Sequence, residues 1–374
     1  MTAKYREIFD KIRSQIVSGR FFGGRRFPSE GELARNEGVS RSTAHRVIME
    51  LRRIGLVTGG PGEIPRLTKG AASRKIGVIV PRHRYSEIFT RIIEELSRRA
   101  QLEGYTLLFG DISSADPVQR ADDVKRLAEE YVFERVAGVM FQPIEYVSGA
   151  EKLNGEVLEI FNRAEIAVVL CDYDIVPPPG RSSFDVVGMN NFLSGAAMTS
   201  HLLSAGASRI AFMMRPHSPL SIKIRMRGAQ SEAVAAGRDF AVYEAEPDDQ
   251  QSLRRYLRRF RPDAFLCGND AIAACLKQSL EKLGKSVPDD VMLAGFDDVT
   301  LARFMSPPLT TMHQPCVQIA DAVFDRLMAR IANPDLPPQE IYLPGTVVVR
   351  SSTRRNSSSS QQRRKPVSNR GISR

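Results

Sequence analysis

The sequence predicts two architectures in one chain, a short N-terminal helix-turn-helix domain followed by a longer α/β region of doubly wound parallel sheets. Three observations carry this reading. A length of 374 residues exceeds what one hydrophobic core organises, so several domains are expected. Residues 4–51 show three amphipathic helical patterns separated by glycine-containing turns, and from Ile76 onward short apolar runs alternate with amphipathic helical stretches.

The first helix runs from about Lys4 to Ser18, because Tyr5, Ile8, Ile12 and Ile16 recur every three or four residues, and Gly19 ends it. After the turn Gly23-Gly24, the run Ser29-Glu30-Gly31-Glu32 spells a capping box, in which the serine hydroxyl caps a helix and Glu32 reaches back. That second helix stops near Glu37-Gly38. Ser40 then caps a third helix, whose Ala44, Val47, Ile48 and Leu51 form a buried stripe. Arg41, Ser42, His45 and Arg46, joined by Thr43, sit at its start and away from that stripe. A recognition helix presents side chains to base edges and phosphates from that position, although an ordinary solvated helix end has the same pattern.

The stretch Pro61 to Ser73, rich in Gly, Pro and small residues, separates this domain from the α/β region. Eight short buried strands are expected, at Ile76–Val80, Thr106–Phe109, Gly138–Phe141, Ala167–Cys171, Ile210–Met214, Phe240–Tyr243, Ala264–Cys267 and Val291–Gly295. Helices such as Ile88–Glu103 and Ala271–Leu283 fall between them. The rhythm implies two lobes, with ligands at the carboxyl ends of the strands. The domains read as 1–70 for the helix-turn-helix, 71–75 for the linker, 76–353 for the two-lobed region and 354–374 for a basic tail without apolar periodicity, expected to be disordered.

Charge is placed unevenly. Residues 1–75 are net +9, residues 351–374 are net +7, and residues 76–350 are net −6. Basic ends on an acidic body suit contact with a polyanion, and a solvated basic face is the other reading. No apolar run approaches the roughly 20 residues of a membrane span, and no secretory signal is visible, so a cytoplasmic protein without a membrane partner is expected. Cys171, Cys267, Cys275 and Cys316 form no CxxC pair and lie in apolar sequence, as reduced core thiols do.

From Tyr5 to Leu67 the chain resembles the winged-helix domain of gluconate-repressor-type (GntR) regulators. The resemblance rests on Phe27-Pro28-Ser29-Glu30, Glu32-Leu33-Ala34, Val39-Ser40-Arg41-Ser42-Thr43 and Leu51-Arg52-Arg53-Ile54-Gly55-Leu56-Val57. It implies DNA contact by Arg41, Ser42, Thr43, His45 and Arg46, and by Arg66 from the wing. Gly31 and His45 stand where that family usually has arginine, and Gly59-Gly60 where it has basic residues, which reduces the wing's expected part.

From about Arg74 to Thr353 the chain resembles the sensor domain of lactose-repressor-type (LacI) regulators, which is itself periplasmic-binding-protein-like. The fragments that carry this are Cys267-Gly268-Asn269-Asp270-Ala271, Val287-Pro288-Asp289-Asp290-Val291, Gly295-Phe296-Asp297-Asp298, Pro307-Pro308-Leu309-Thr310-Thr311, Gln314-Pro315 and Leu343-Pro344. The resemblance implies discontinuous lobes, Lys75–Val187 with Val299–Asn333 and Gly188–Asp298 with Pro334–Ser352. It further implies a small polar effector, a sugar first of all, held between them, and a homodimer reading a two-fold symmetric double-stranded operator as a repressor.

Burying a polyhydroxylated ligand takes carboxylates to accept, a guanidinium to donate and an aromatic face. Asp270 and Asp172 follow predicted strands, Arg225 precedes Gly228 in an Arg-x-x-Gly arrangement, and Tyr85, Glu87 and Phe89 follow the first sensor strand. Each has a plainer role open to it: a helix cap for Asp270, a surface arginine beside Arg227 for Arg225, and core packing for one of the two aromatics.

A transport solute-binding protein shares the lobes, but the basic N-terminal helices argue against it. An enzyme acting on a sugar or nucleotide lacks a visible constellation. Leu283-Gly284-Lys285-Ser286 ends like a phosphate loop but has Ser279 where the earlier glycine belongs, and the five histidines show no metal-ligand spacing. Neither GxSxG nor a cofactor motif is present, so no enzyme, cofactor or metal is expected.

Overall fold

The computed structural model describes residues 2–17, 27–53, 56–60, 63–67, 73–81, 86–110, 112, 114 and 116–355. The expected turns at Gly19 and Gly23-Gly24, the pair Ile54-Gly55, residues 61, 62 and 68–72 of the Pro61 to Ser73 stretch, Tyr85 and the tail beyond 355 lie outside the described residues.

Three helices open the chain: α1 (Thr2–Val17), α2 (Glu30–Glu37) and α3 (Arg41–Arg53). The capping box forms as its residues dictate. Ser29 Oγ accepts from the Glu32 N–H, and Glu32 Oε2 accepts from the Ser29 N–H at 2.7 Å. Gly38, at φ +61°, ends α2 in a left-handed conformation that costs glycine nothing. Ile8, Ile12, Ile16, Leu33, Ala44, Val47, Ile48 and Leu51 close one core, so the expected stripes meet. Strands β1 (Val57–Thr58) and β2 (Arg66–Leu67) pair antiparallel as a small wing.

The α/β region contains two six-stranded sheets. In chain order its elements are β3 (Lys75–Ile79), α4 (Glu87–Leu102), β4 (Thr106–Phe109), α5 (Pro117–Phe133), β5 (Gly138–Phe141), α6 (Ala150–Arg163), β6 (Ala167–Cys171), β7 (Asp185–Met189), α7 (Asn191–Ser204), β8 (Arg209–Met214), α8 (Leu220–Ala235), β9 (Asp239–Glu244), α9 (Gln250–Phe260), β10 (Ala264–Cys267), α10 (Asp270–Lys282), β11 (Met292–Asp297), α11 (Thr300–Phe304), β12 (Thr310–His313), α12 (Cys316–Ala332), β13 (Glu340–Leu343) and β14 (Thr346–Val348). All eight expected strands form within about two residues, but β4 and β9, expected to be buried, are exposed or half-buried along most of their length. Lys75, expected in the linker, begins β3.

The contacts divide the chain into two units. Unit 1 is Met1–Gly188 with Cys316–Tyr342, and unit 2 is Met189–Pro315 with Leu343–Arg374. In unit 1 the sheet order is β13-β7-β6-β5-β3-β4, over a core of Val139, Phe141, Phe161, Leu170 and Val186. Asp185, fully buried, anchors α12 through Arg326 Nη2 at 2.8 Å and Arg330 Nη2 at 2.8 Å.

In unit 2 the order is β14-β12-β11-β10-β8-β9, with β14 antiparallel to β12. The discontinuous organisation is present, but the crossing points differ from those expected. Residues 299–315 belong to unit 2, because Thr310–His313 pairs in parallel with β11, whereas residues 334–342 remain with unit 1. The cysteine expectation also needs a correction. Cys171, Cys267 and Cys316 are buried free thiols, but Cys275 is exposed on α10.

Candidate nucleic-acid interface and ligand site

On α3 the buried stripe faces α1 and α2, which leaves Arg41, Ser42, His45 and Arg46 exposed and Thr43 half-buried. Ser40 Oγ accepts from the Thr43 N–H at 3.2 Å and lies 2.9 Å from both Ser42 Oγ and Thr43 Oγ1, so the helix start carries a tight hydroxyl cluster. His45 Nδ1 lies 2.9 Å from Glu30 Oε1, and the Arg46 guanidinium stacks 4.7 Å over the Tyr5 ring. A Cβ on Gly31 would lie 3.6 Å from Arg41 Nη2, an ordinary contact. In the wing Arg66 is exposed. Arg52 Nη2 donates to the Gly60 carbonyl at 3.2 Å, and the Gly60 N–H donates to Glu63 at 2.9 Å, so a carboxylate sits where a cation would serve phosphate better.

At the carboxyl ends of the unit 2 strands, polar groups converge in a bonded lattice. Arg225 on α8 is 3% exposed; its Nε donates to Asn191 Oδ1 and its Nη1 to the Gly268 carbonyl, both at 2.8 Å. Its guanidinium lies 4.8 Å from the Phe296 ring centroid, and Nη1 is 3.6 Å from Asp297 Oδ1. Gln314 Nε2 donates to that same Asp297 oxygen at 2.7 Å. The Arg-x-x-Gly spacing has a steric cause. A Cβ on Gly228 would fall 2.0 Å from the Phe192 carbonyl oxygen, and one on Gly195 would fall 2.0 Å from that of Arg225. Only glycines let α7 and α8 approach closely enough to seat Arg225 against Asn191.

The two carboxylates after β10 and β11 differ sharply. Asp270 is fully buried; Thr311 Oγ1 donates to its Oδ1 at 2.6 Å and the Val299 N–H to its Oδ2 at 3.1 Å. Burial, with Asp297 adding repulsion, pushes its carboxyl well above the usual range despite those two donors. The capping role belongs to Asn269, whose Oδ1 accepts from the Ile272 N–H at 2.9 Å. Asp297, by contrast, is partly exposed and held at φ +112°. Next to it Asp298 accepts from Arg350 and contacts His313 Nδ1 at 3.0 Å; burial alone would raise it, but these partners hold it below the usual range.

At the strand ends of unit 1, Asp172 is half-buried at φ +88°, a conformation accommodated by Gly188, where a Cβ would lie 2.4 Å from the Asp172 carbonyl oxygen. Phe89 is buried in the core side of α4, and Glu87 pairs with Arg91 one turn along. Gln142, just after β5, is 1% exposed, and neither atom of its side-chain amide has a hydrogen-bond partner among the described residues. Asp297, Gln314 and Gln142 were not singled out from the sequence. For Asp297 the signal was present in Gly295-Phe296-Asp297-Asp298, at the end of a predicted strand, while the isolated Gln142 had none.

No described helix is long and apolar enough to cross a membrane, and no described group of three His, Cys, Asp or Glu residues is placed to hold a metal. Residues 4–63 match the family model described as bacterial regulatory proteins, gntR family, and residues 199–353 match the periplasmic binding protein-like domain. The ribose operon repressor of Escherichia coli (strain K12) is 27% identical over 331 residues, covering 83% of this chain and 96% of that protein. The transcriptional repressor PurR of Mannheimia succiniciproducens is 27% identical over 338 residues, covering 85% and 96%. Among solved structures, the transcriptional regulator CelR in complex with cellobiose superposes with a TM-score of 0.63 at 19% identity, covering 87% of this chain and all of that one. A LacI family regulator from Enterococcus faecalis with bound ribose gives 0.61 at 24% identity, covering 74% and 98%.

The exposed start of α3 and the two-sheet region together with these matches define a class, that of DNA-binding transcription regulators with a binding-protein-like sensor. Within it, this chain joins a gntR-type helix-turn-helix domain to a periplasmic binding protein-like domain.

Proposed function

We propose that the protein is a repressor released from its operator by a small polar effector, a sugar, bound at the strand-end face of unit 2. The observation that carries the effector reading is the Arg225–Asp297 pair. A guanidinium fixed by Asn191 and Gly268 stands 3.6 Å from a partly exposed carboxylate, with Gln314 alongside. Fixed donors and acceptors of both kinds suit vicinal hydroxyls, because the site does not reorganise when the ligand arrives. Asp297 replaces Asp270 as the ligand carboxylate in this reading. Asp270 instead ties the start of α10 to β12 through Thr311 and to the segment after β11 through Val299. Asp172 in unit 1 remains a candidate contact, Glu87 a weaker one because Arg91 engages it, and Phe89 serves the core.

DNA contact is assigned to Arg41, Ser42, Thr43 and His45 on α3, with Arg46 beside them and Arg66 adding a lesser phosphate contact. Two copies reading a two-fold symmetric operator complete the proposal. The effector acts only through a difference in its affinity for DNA-competent and DNA-incompetent states. The test selects duplexes from a random library with the full chain, then titrates monosaccharides against the selected operator. Release by a sugar, lost in Asp297→Ala, supports the proposal, and release that survives Asp297→Ala unchanged rejects this face as the site.

A further inference from the structure

Unit 2 also carries a strongly charged surface that neither α3 nor the ligand face uses. Helix α9 buries Leu253 and turns Tyr256 to the sheet, its ring 4.4 Å from Tyr243 of β9 and 6.3 Å from Phe265 of β10. Its opposite side presents Arg254, Arg255, Arg258 and Arg259, all exposed, and Arg261 follows, exposed, at φ +49°. None of these five side chains makes an ion pair or hydrogen bond among the described residues. Arg254 with Arg258, and Arg255 with Arg259, are like-charge neighbours one turn apart, an arrangement that weakens a helix unless something else answers the charge. It also runs against the composition of its surroundings, since residues 76–350 are net −6.

The basic surface extends beyond the helix. At the amino ends of adjacent strands, Arg209 begins β8 and Arg238 immediately precedes β9, both exposed, with Arg209 registered against Asp239. Of the carboxylates nearby, Asp263 is taken by the Ser208 and Arg209 N–H groups and Asp249 by the cap of α9, while Asp239 is exposed. The basic C-terminal segment leaves from the same edge: Arg355 Nη2 donates to the Asp263 carbonyl at 2.8 Å. Residues 356–374 then add Arg363, Arg364, Lys365, Arg370 and Arg374 without an acid.

We propose that this arginine surface binds the phosphate backbone of duplex DNA without reading its sequence, as a second DNA contact apart from α3. Two guanidinium rows about 6 Å apart along the helix fit an extended polyanion better than a single bound anion. Arginine rather than lysine throughout suits forked bonding to phosphate. The gntR-type domain keeps the chain at DNA, so phosphate is the polyanion it meets at high local concentration.

The experiment uses the full chain with Arg41→Ala to weaken specific binding, and a fluorescent duplex of scrambled sequence titrated across salt concentrations. Adding R254Q/R255Q/R258Q/R259Q should weaken binding at low salt by about tenfold or more and flatten the log–log salt slope by roughly three, given about 0.9 per phosphate contact. The four-lysine counterpart should restore most of both, and it carries the test if the glutamine variant melts early. Truncation after Arg355 should flatten the slope further. Unchanged affinity and slope in a well-folded glutamine variant overturn the proposal. So does displacement of the duplex by polyglutamate as effective as by unlabelled duplex, which would assign the surface to an acidic protein instead.

Discussion

The strand-end faces of the two sheets solve the same problem in opposite ways. In unit 2 the polar groups satisfy one another: Arg225 bonds Asn191 and Gly268, Gln314 bonds Asp297, and Asp270 takes Thr311 and Val299. In unit 1 the buried Gln142 amide has no hydrogen-bond partner among the described residues. A satisfied lattice holds its shape without ligand, whereas a buried amide left unpaired costs stability that only a ligand or water can return. Burial alone does not mark a ligand group. Within unit 2 the more buried carboxylate, Asp270, is enclosed by Thr311 and Val299, and the less buried one, Asp297, is the partly exposed one, held by Gln314 beside Arg225.

The sharpest way to break that distinction is to remove each carboxylate in turn. Asp270→Ala strips an acceptor from a buried hydroxyl and a buried N–H and should cost about 3 kcal/mol or more of stability. Asp297→Ala should cost well under half of that while abolishing the effector response. Denaturant unfolding beside calorimetric titration checks both, and a larger stability loss for Asp297→Ala would reverse the assignment.

Next in size is Gly228→Ala. Its Cβ meets the Phe192 carbonyl at 2.0 Å, so α7 and α8 must part, at about 1–3 kcal/mol, and Arg225 must leave Asn191. Effector affinity should fall with stability. An alanine variant that melts like the wild type and binds effector normally would show that the helix contact does not position Arg225.

Asp270 also gives a pH signature. Its carboxyl is raised in the folded protein, so its contribution to stability is greatest below the ordinary aspartate value of 3.8 and is lost as pH rises through the raised value. The stability of the wild type relative to Asp270→Asn should therefore increase as pH falls from neutrality toward 4. The opposite trend, measured by denaturant midpoints across pH, would mean that the buried carboxylate is stabilised as an anion.

Smaller effects probe unit 1 and the wing. Gln142→Leu removes an amide without a partner among the described residues and should raise stability by about 1 kcal/mol while reducing the effector's stabilisation of the protein. A loss of stability instead would indicate that the amide is already satisfied by water. Arg66→Ala should weaken operator binding by only a few-fold, against more than tenfold for Arg41→Ala, in anisotropy titrations at fixed salt.

Most of the architecture was legible because it is local. The capping box at Ser29, the stripe Ala44-Val47-Ile48-Leu51 and the all-buried strands β5 and β10 follow from period and spacing. Strands β7, β12, β13 and β14 were not anticipated. β13 and β14 are short edge strands with mixed burial, while β12, Thr310-Thr311-Met312-His313, is buried yet reads as polar because Thr310 bonds Thr353 and Arg350 and Thr311 bonds Asp270. The crossing at Pro315 depends on that strand, so it was missed with it. Arg225 was singled out through its glycine, and it lies beside Asp297 at the strand ends of unit 2. The roles of Asp270 and Asp297 were not separable, since both follow strands and only the packing of Thr311 and Val299 decides which is enclosed.

The most direct test of the account is operator release measured on Asp297→Asn, which preserves shape and can still accept from Gln314 but removes the charge facing Arg225. With the selected operator and the releasing sugar, the variant should bind DNA within about twofold of the wild type and need at least roughly tenfold more sugar for half-release, one hydrogen bond to a charged group contributing about 1.5–3 kcal/mol. Release at the wild-type sugar concentration would contradict the assignment of this face as the effector site.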